Sequence, residues 1–176
     1  MSVSMEDIKE LREKTSCGVI ECKKALEDAK GDIKKAKEIL KKRGLEIAAK
    51  KGSREAKEGR VEAYVHMGNK IAVLVEVNCE TDFVARNEDF CKFAKDLAMQ
   101  IAAANPQYIR EDDVPPEVLA GEKDPKTFIK EKCLLSQAFV KDPSTSMQDY
   151  LNTLIAKIGE NIQIGRFVRY KVGEVA

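Results

Sequence analysis

Alternation of apolar and polar residues over positions 60–78 constrains the fold more than any other feature of this chain. Residues 60–67 and 70–78 each place an apolar side chain at every second position, and Gly68 and Asn69 stand between them. This pattern predicts two antiparallel strands joined by a tight turn. His66 is expected on the solvent-facing side of the first strand, so we interpret it as structural rather than catalytic.

Apolar residues at helical spacing predict three short helices within residues 1–44. Ser4 is placed to cap the first helix, Gly31 to end the second, and Asp32 to cap the third. The third helix is predicted to end at Gly44. Three helices in so few residues form a small core, and modules of this kind usually bind another molecule.

The remaining segments predict a mixed structure. Residues 45–59 are basic and alanine-rich, which favours a helical or partly flexible linker. We expect helices at residues 88–104, near 127–137 and near 147–160, a short helix and loops at 105–126, and a strand at 162–172. This order of elements is typical of an α+β fold with an antiparallel sheet. The predicted domains are residues 1–44, 45–59 and 60–176.

Composition excludes several classes of protein. Charged residues make up 35% of the chain and hydrophobic residues 43%, which is typical of soluble proteins rather than disordered ones. No apolar stretch is long enough to cross a bilayer, and the first residues lack the apolar core of a signal peptide. We therefore expect a cytoplasmic protein that does not bind membranes.

Cysteine and histidine usage argues against a metal site. The five cysteines contain no CxxC pair, and the chain has a single histidine. We expect the cysteines to be small core residues without disulfides. The sequence also lacks a nucleophile elbow, a Walker loop, an HExxH motif and a dinucleotide-binding motif. We therefore expect no catalytic residue, no cofactor, no metal ligand and no enzymatic activity.

Positive charge is concentrated in residues 34–57, which contain ten Lys or Arg against three Glu. Such a segment is compatible with a non-catalytic module that binds RNA or the ribosome. However, no aromatic residue is interleaved there to stack on bases. Direct nucleic-acid binding is therefore the alternative hypothesis rather than the expected function.

Residues 79–87, which read Cys-Glu-Thr-Asp-Phe-Val-Ala-Arg-Asn, lie between the predicted hairpin and a phenylalanine-rich helix. On a structural interpretation, Thr81 or Asp82 caps that helix and Phe83 belongs to the core. On a functional interpretation, the segment contacts another molecule. Its residues alone leave both interpretations open.

Four segments of the chain resemble the elongation factor Ts family. Residues 76–86 read Glu-Val-Asn-Cys-Glu-Thr-Asp-Phe-Val-Ala-Arg, an eleven-residue match to the family signature. Further matches are Leu-Arg-Glu-Lys-Thr at 11–15 with Cys-Lys-Lys-Ala-Leu at 22–26, Lys-Ile-Gly-Glu-Asn-Ile at 157–162, and Arg-Phe-Val-Arg-Tyr-Lys-Val-Gly-Glu at 166–174. Their spread over most of the chain makes the resemblance specific.

The resemblance implies a three-helix module of the ubiquitin-associated type, a linker and an α+β dimerisation-type core. It also implies that the protein binds elongation factor Tu and promotes GDP release from it, rather than binding a ubiquitin-like domain. In the family, the signature pushes into the GTPase domain of that partner and disturbs its Mg²⁺ site. The matching positions here are Thr81, Asp82, Phe83 and Val84. The helical module also touches the GTPase domain, through positions that match Lys9, Arg12, Val19 and Ile20.

The chain is similar to the compact form of the family, which has a single core unit. Ser16, Val19 and Glu21 depart from the residues most frequent in the family. Long relatives pack two such units together, so a single unit leaves a sheet face or edge without a partner. We therefore predict a homodimer whose interface lies near residues 60–78 and 162–172. Alternatively, the helix near 127–137 covers the same face within one chain.

Overall fold

The structure, a computed structural model, describes residues 3–15 and 17–174. The residues cluster into two compact units. The first comprises Met1–Arg54 and Leu151–Asn161, and the second comprises Glu55–Tyr150 and Ile162–Ala176. The division into residues 1–44, 45–59 and 60–176 stays a prediction about which segments fold independently.

Three helices build the N-terminal bundle: α1 (Met5–Thr15), α2 (Val19–Asp28) and α3 (Ile33–Lys51). The predicted caps are present. The Ser4 hydroxyl accepts a hydrogen bond of 3.0 Å from the backbone N–H of Asp7, and the Asp32 carboxylate accepts two from the first turn of α3. Side chains of all three helices form the core: Ile8, Leu11, Cys22, Ala25, Leu26, Ala29, Ala36 and Leu40.

The prediction that the third helix ends at Gly44 is wrong, because α3 continues to Lys51. Gly44 is buried, and a Cβ placed on it would lie 3.8 Å from the backbone oxygen of Asn152. Even a Cβ would make only ordinary van der Waals contact there, and Gly44 lies inside the helix rather than at its end. Half-buried Ile47 and Ala48 continue the inward-facing side of α3 beyond it.

The second unit contains the sheet and the remaining helices. In chain order its elements are β1 (Glu58–Val65), β2 (Ile71–Cys79), α4 (Asp82–Ala85), α5 (Glu88–Ala104), α6 (Pro116–Gly121), α7 (Pro125–Lys132), β3 (Ala138–Phe139), β4 (Asp142–Ser146), the first turn of α8 (Met147–Ile158) and β5 (Gln163–Lys171). Strands β1, β2 and β5 form an antiparallel sheet in that spatial order. The predicted α+β fold with an antiparallel sheet is thus confirmed.

One face of the sheet packs on α5, and the β1 residues on this face are not the ones that the alternation suggested. Val73 and Val75 of β2 are buried, and their partners across the strand pair are Tyr64 and Glu62. Residues directly opposite each other share a face, so the polar side of β1 is the inner one. Glu62 is buried there, and Arg60 neutralises it with an ion pair of 2.7 Å.

The apolar side of β1 consequently faces outward, with Val61 and Val65 exposed. Leu74 of β2 and Val168 of β5 are paired with each other and also exposed on this outer face. The outer face of the sheet therefore carries exposed apolar side chains, and α5 covers only the inner face.

A polar network fastens the β3–β4 hairpin to α5. The buried carboxylate of Asp96 accepts hydrogen bonds from Lys141 (2.6 Å) and from the hydroxyl of Tyr150 (2.9 Å). Burial, followed by the charge of Asp96, raises the pKa of Tyr150 well above its ordinary value. The Tyr150 ring also packs edge-on against Phe93 and tilted against Phe139. The network fixes this side of the core by hydrogen bonds to a charged group, which are stronger than neutral ones.

In the second half of the chain, one local prediction needs correction and one element was missed. The helix expected near 127–137 is α7, which ends at Lys132 and is followed by a 3₁₀ turn at Leu134–Ser136. The short β3–β4 hairpin was not predicted. Within the described residues, no helix is long and apolar enough to cross a membrane.

Candidate functional site

Helix α4 is a single turn that connects the end of β2 to the start of α5. The Thr81 side chain caps α4 by accepting from the N–H of Val84, and the Asn87 side chain caps α5 by accepting from Asp89 and Phe90. The structural interpretation has Thr81 or Asp82 capping the phenylalanine-rich helix. In the structure Thr81 caps α4 instead, and Asn87 caps the phenylalanine-rich helix α5. Two caps within seven residues define the path of the chain through this turn.

Phe83 projects from α4 into solvent with 80% of its surface exposed. The structural interpretation that Phe83 belongs to the core is therefore wrong. Its neighbours hold the turn in place: Ala85 is buried, and the Cys91 thiol lies 3.7 Å from the Ala85 carbonyl oxygen. A large apolar ring on a fixed turn, with little of its surface covered, is the usual form of an interface anchor.

The other three residues of the signature frame this ring. Asp82 pairs with Arg86 one turn later at 2.7 Å, and both side chains are substantially exposed. Val84 is half-buried, and Thr81 is exposed. The arrangement places a carboxylate beside an exposed aromatic ring on a capped turn.

The four positions implied for the helical module lie in the first unit. Lys9 and Arg12 are three residues apart on α1 and both are exposed, while Val19 and Ile20 begin α2. Ile20 is 69% exposed, a large value for an isoleucine outside an interface. Lys9, Arg12 and Val19 line one cleft, whereas Ile20 does not belong to its lining.

This cleft has a volume of about 510 Å³. Its remaining lining residues are Glu13, Cys17, Gly18, Glu21, Ala156 and Lys157. Sequence reasoning missed the contribution of α8, although the Lys-Ile-Gly-Glu-Asn-Ile stretch had been noted as a family match. The spacing of residues along the chain gave no signal that position 157 lies beside positions 9 and 12.

Within the described residues, no group of three or more His, Cys, Asp or Glu side chains is arranged to hold a metal ion. The five cysteines, all of which lie within the described residues, form no disulfide, and Cys22, Cys79 and Cys133 are buried. Burial raises the pKa of the Cys17 and Cys133 thiols, which keeps them in the less reactive protonated form.

Comparison with known proteins decides the family. A family model described as elongation factor TS matches residues 4–127 and 125–174. The chain belongs to the elongation factor Ts family. It is 49% identical to elongation factor Ts of Carboxydothermus hydrogenoformans, over 98% of this chain and 90% of the relative. It is also 49% identical to that of Thermodesulfovibrio yellowstonii (99% and 98%) and 50% identical to that of Caldanaerobacter subterraneus (98% and 98%). The family name places its members among the elongation factors of protein biosynthesis.

These relatives have residues that this chain lacks, since the alignments run over 195 or 196 positions against 176 residues here. The two segments matched by the elongation factor Ts model meet at residues 125–127. These are the first residues of α7, which follows the connecting residues 122–124.

Proposed function

We propose that the chain is a guanine-nucleotide exchange factor that binds elongation factor Tu and promotes GDP release during translation elongation. The observation that carries this proposal is the exposure of Phe83 on a turn that is capped on both sides. The ring anchors the complex, and the carboxylate of Asp82 enters the surroundings of the partner's Mg²⁺ ion. Thr81 orients the turn, and Val84 completes the surface.

Disturbing a Mg²⁺ site is sufficient to release GDP. In a GTPase the ion neutralises the phosphate oxygens of the nucleotide and is held by few protein ligands and several waters. Displacing one of those ligands removes charge compensation from the phosphates, so GDP dissociates faster. The exchange factor makes and breaks no covalent bond and needs no cofactor.

The energetics follow from linkage between the two binding events. If the factor weakens GDP binding about a thousandfold, the coupling free energy is roughly 4 kcal/mol, and GDP weakens binding of the factor by the same amount. The first unit adds affinity through Lys9, Arg12, Val19 and Ile20, which are exposed and lie outside α4.

Release of a fluorescent GDP analogue from elongation factor Tu, with and without this protein, tests the proposal. We expect strong acceleration that changes little between low and moderate salt, because an aromatic anchor is apolar. No acceleration would contradict the proposal. If the chain instead binds RNA through residues 34–57, RNA binding will weaken steeply as salt rises.

We further propose that the chain forms a homodimer through the outer face of the sheet. The supporting observation is the row of exposed apolar side chains on three adjacent strands: Val61, Val65, Leu74, Val168 and Tyr170. Contiguous apolar surface of this kind is usually covered in soluble proteins, and a two-fold interface lets one face cover its own copy.

Leu74→Glu should shift the protein from dimer to monomer, because it places a carboxylate at the centre of that face. We expect dimerisation to weaken at least about tenfold, which corresponds to about 1.4 kcal/mol. Sedimentation equilibrium measures the mass against the 19.7 kDa of one chain. Leu45→Glu is the matched control, since Leu45 lies in α3 and is 44% exposed against 49% for Leu74. A wild-type mass near that of one chain at micromolar concentration would disprove the dimer.

A further inference from the structure

Helix α4 is too short to hold its own position. A helix of four residues makes too few internal hydrogen bonds to offset the cost of nucleation. Thr81 caps its start, and Ala85 at its end is buried. The ring of Phe83 contributes little packing, since it is 80% exposed. The orientation of Phe83 and Asp82 therefore depends on contacts between the end of α4 and the rest of the second unit.

A chain of two hydrogen bonds reaches the end of α4 from strand β1. The Arg60 guanidinium donates to the Cys91 sulfur at 2.6 Å. The Cys91 thiol in turn donates to the backbone carbonyl of Ala85, the last residue of α4, at 3.7 Å. A thiol can accept from one group and donate to another, so the two bonds are compatible. Because the last carbonyls of a helix lack partners within it, a side-chain donor stabilises this end of α4.

Buried Glu62 fixes the guanidinium at the start of this chain. Its carboxylate lies 2.7 Å from Nη2 of Arg60, whereas Nη1 contacts the Cys91 sulfur. Glu62 is 8% exposed, so the ion pair is only weakly screened by salt. Arginine presents its N–H donors in a rigid planar fork, which allows it to hold two partners at once. One side chain thus connects a buried charge on β1 to Cys91 in the first turn of α5.

We propose that Arg60 is a positioning residue for nucleotide exchange, which holds α4 in place through the Cys91 thiol. This inference rests on the proposed exchange function and adds to it a residue that lies outside α4. When α4 is already fixed in the free protein, less conformational freedom is lost as Phe83 and Asp82 engage the partner. Breaking the chain should therefore slow exchange although every residue of α4 is retained.

Cys91→Ala removes the link between Arg60 and α4 and tests this role with two measurements. The backbone amides of residues 84–87 should exchange with deuterium about fivefold faster by NMR, as expected for the loss of one hydrogen bond. Amides at the centre of α5 should be unaffected. The rate of GDP release from elongation factor Tu at limiting factor concentration should fall by a similar factor. Cys91→Ser, which keeps a donor and an acceptor, should restore both values toward those of the wild type.

Met99→Ala is the matched control, because Met99 is another half-buried residue of α5 and lies about two turns further along it. It should leave amide exchange in α4 and GDP release unchanged. Arg60→Lys keeps a positive charge beside Glu62 but loses the fork, so it should have the same two effects as Cys91→Ala. If both substitutions act through one chain, the combined variant should be no slower than the stronger single variant.

The outcomes separate this inference from the exchange function itself. Both measurements are made well below the melting temperature of each variant, so that global unfolding contributes to neither. If the wild-type protein does not accelerate GDP release, the exchange function fails, whatever the amides of α4 show. If the wild-type protein is active and Cys91→Ala matches Met99→Ala, the positioning role of Arg60 is disproved. Faster amide exchange in α4 with an unchanged release rate also overturns it, because α4 is then loosened without consequence for exchange.

Discussion

Replacing Phe83 with alanine should slow GDP release from elongation factor Tu by about thirtyfold and leave the fold intact. An aromatic anchor at the centre of an interface typically contributes at least about 2 kcal/mol, which corresponds to that factor. In the free protein the ring is 80% exposed, so its removal creates no cavity. Surface substitutions of this kind usually change the free energy of unfolding by less than about 0.5 kcal/mol.

The measurement combines the release assay with thermal melting of each variant. Met67→Ala is a suitable control, because Met67 is 89% exposed at the hairpin turn of the same unit and lies outside α4. It should affect neither exchange nor melting. If Phe83→Ala instead lowered the melting temperature strongly, the ring would have a structural role that its exposure does not suggest.

A second comparison separates binding from exchange in the Phe83 variant. If the ring mainly anchors the complex, the loss should appear at low factor concentration and recover near saturation. If the ring itself disturbs the Mg²⁺ site, the release rate should stay low even at saturation. Either result identifies which part of the coupling free energy depends on this side chain.

The helices of the first unit could be predicted because their signals are local. Ser4 and Asp32 cap helices through bonds to residues two or three positions ahead, and Gly31 adopts a positive φ of 86°. Such interactions depend on neighbouring residues alone. The end of α3 could not be predicted in this way, since the buried Gly44 lies beside the backbone of Asn152, more than 100 positions away.

The sheet shows a different limit of prediction from sequence. Alternation located β1 and β2 within two residues, yet it could not identify the inner face of β1. That face is set by α5, which packs on the side where Val73 and Val75 lie and leaves Glu62 to be neutralised by Arg60. Once the strand pairing is known, the apolar outer side of β1 can be identified as surface that α5 does not cover.

Residues of the candidate site were found through family resemblance rather than through periodicity. Pattern analysis left Phe83 open between core and surface, because a phenylalanine beside a helix start fits both. Its exposure depends on the single turn of α4, which is too short to produce a periodic signal. Lys157 was missed for a related reason, since only tertiary packing places it beside Arg12.

Gly59→Ala should destabilise the protein by about 3–5 kcal/mol, among the largest effects of a single substitution. Gly59 has a φ of 152°, which L-residues rarely adopt. A Cβ there would lie 2.2 Å from the backbone oxygen of Val77 and 2.8 Å from the Cα of Asn78. Both are backbone atoms of the central strand, so relief requires β1 and β2 to separate.

The damage should reach function as well, because of where Gly59 is paired. It lies opposite Asn78, and Glu58 lies opposite Cys79, which is the last residue of β2 before the turn that leads into α4. Separation of the strands there loosens the support of Thr81 and Phe83. We therefore expect both a lower melting temperature and slower GDP release.

Thermal melting measures the first effect. For a domain of this size, each 1 kcal/mol shifts the melting temperature by roughly 2–4 °C, so the variant should melt about 10 °C lower. Gly121→Ala is the matched control, since its added Cβ meets nothing within 4 Å and its φ is not positive. If the two variants have the same melting temperature, the β1–β2 pair accommodates a Cβ at Gly59 without loss of stability, which contradicts the prediction. If Gly59→Ala alone melts early and also slows exchange at temperatures where it is still folded, the start of β1 supports α4 directly.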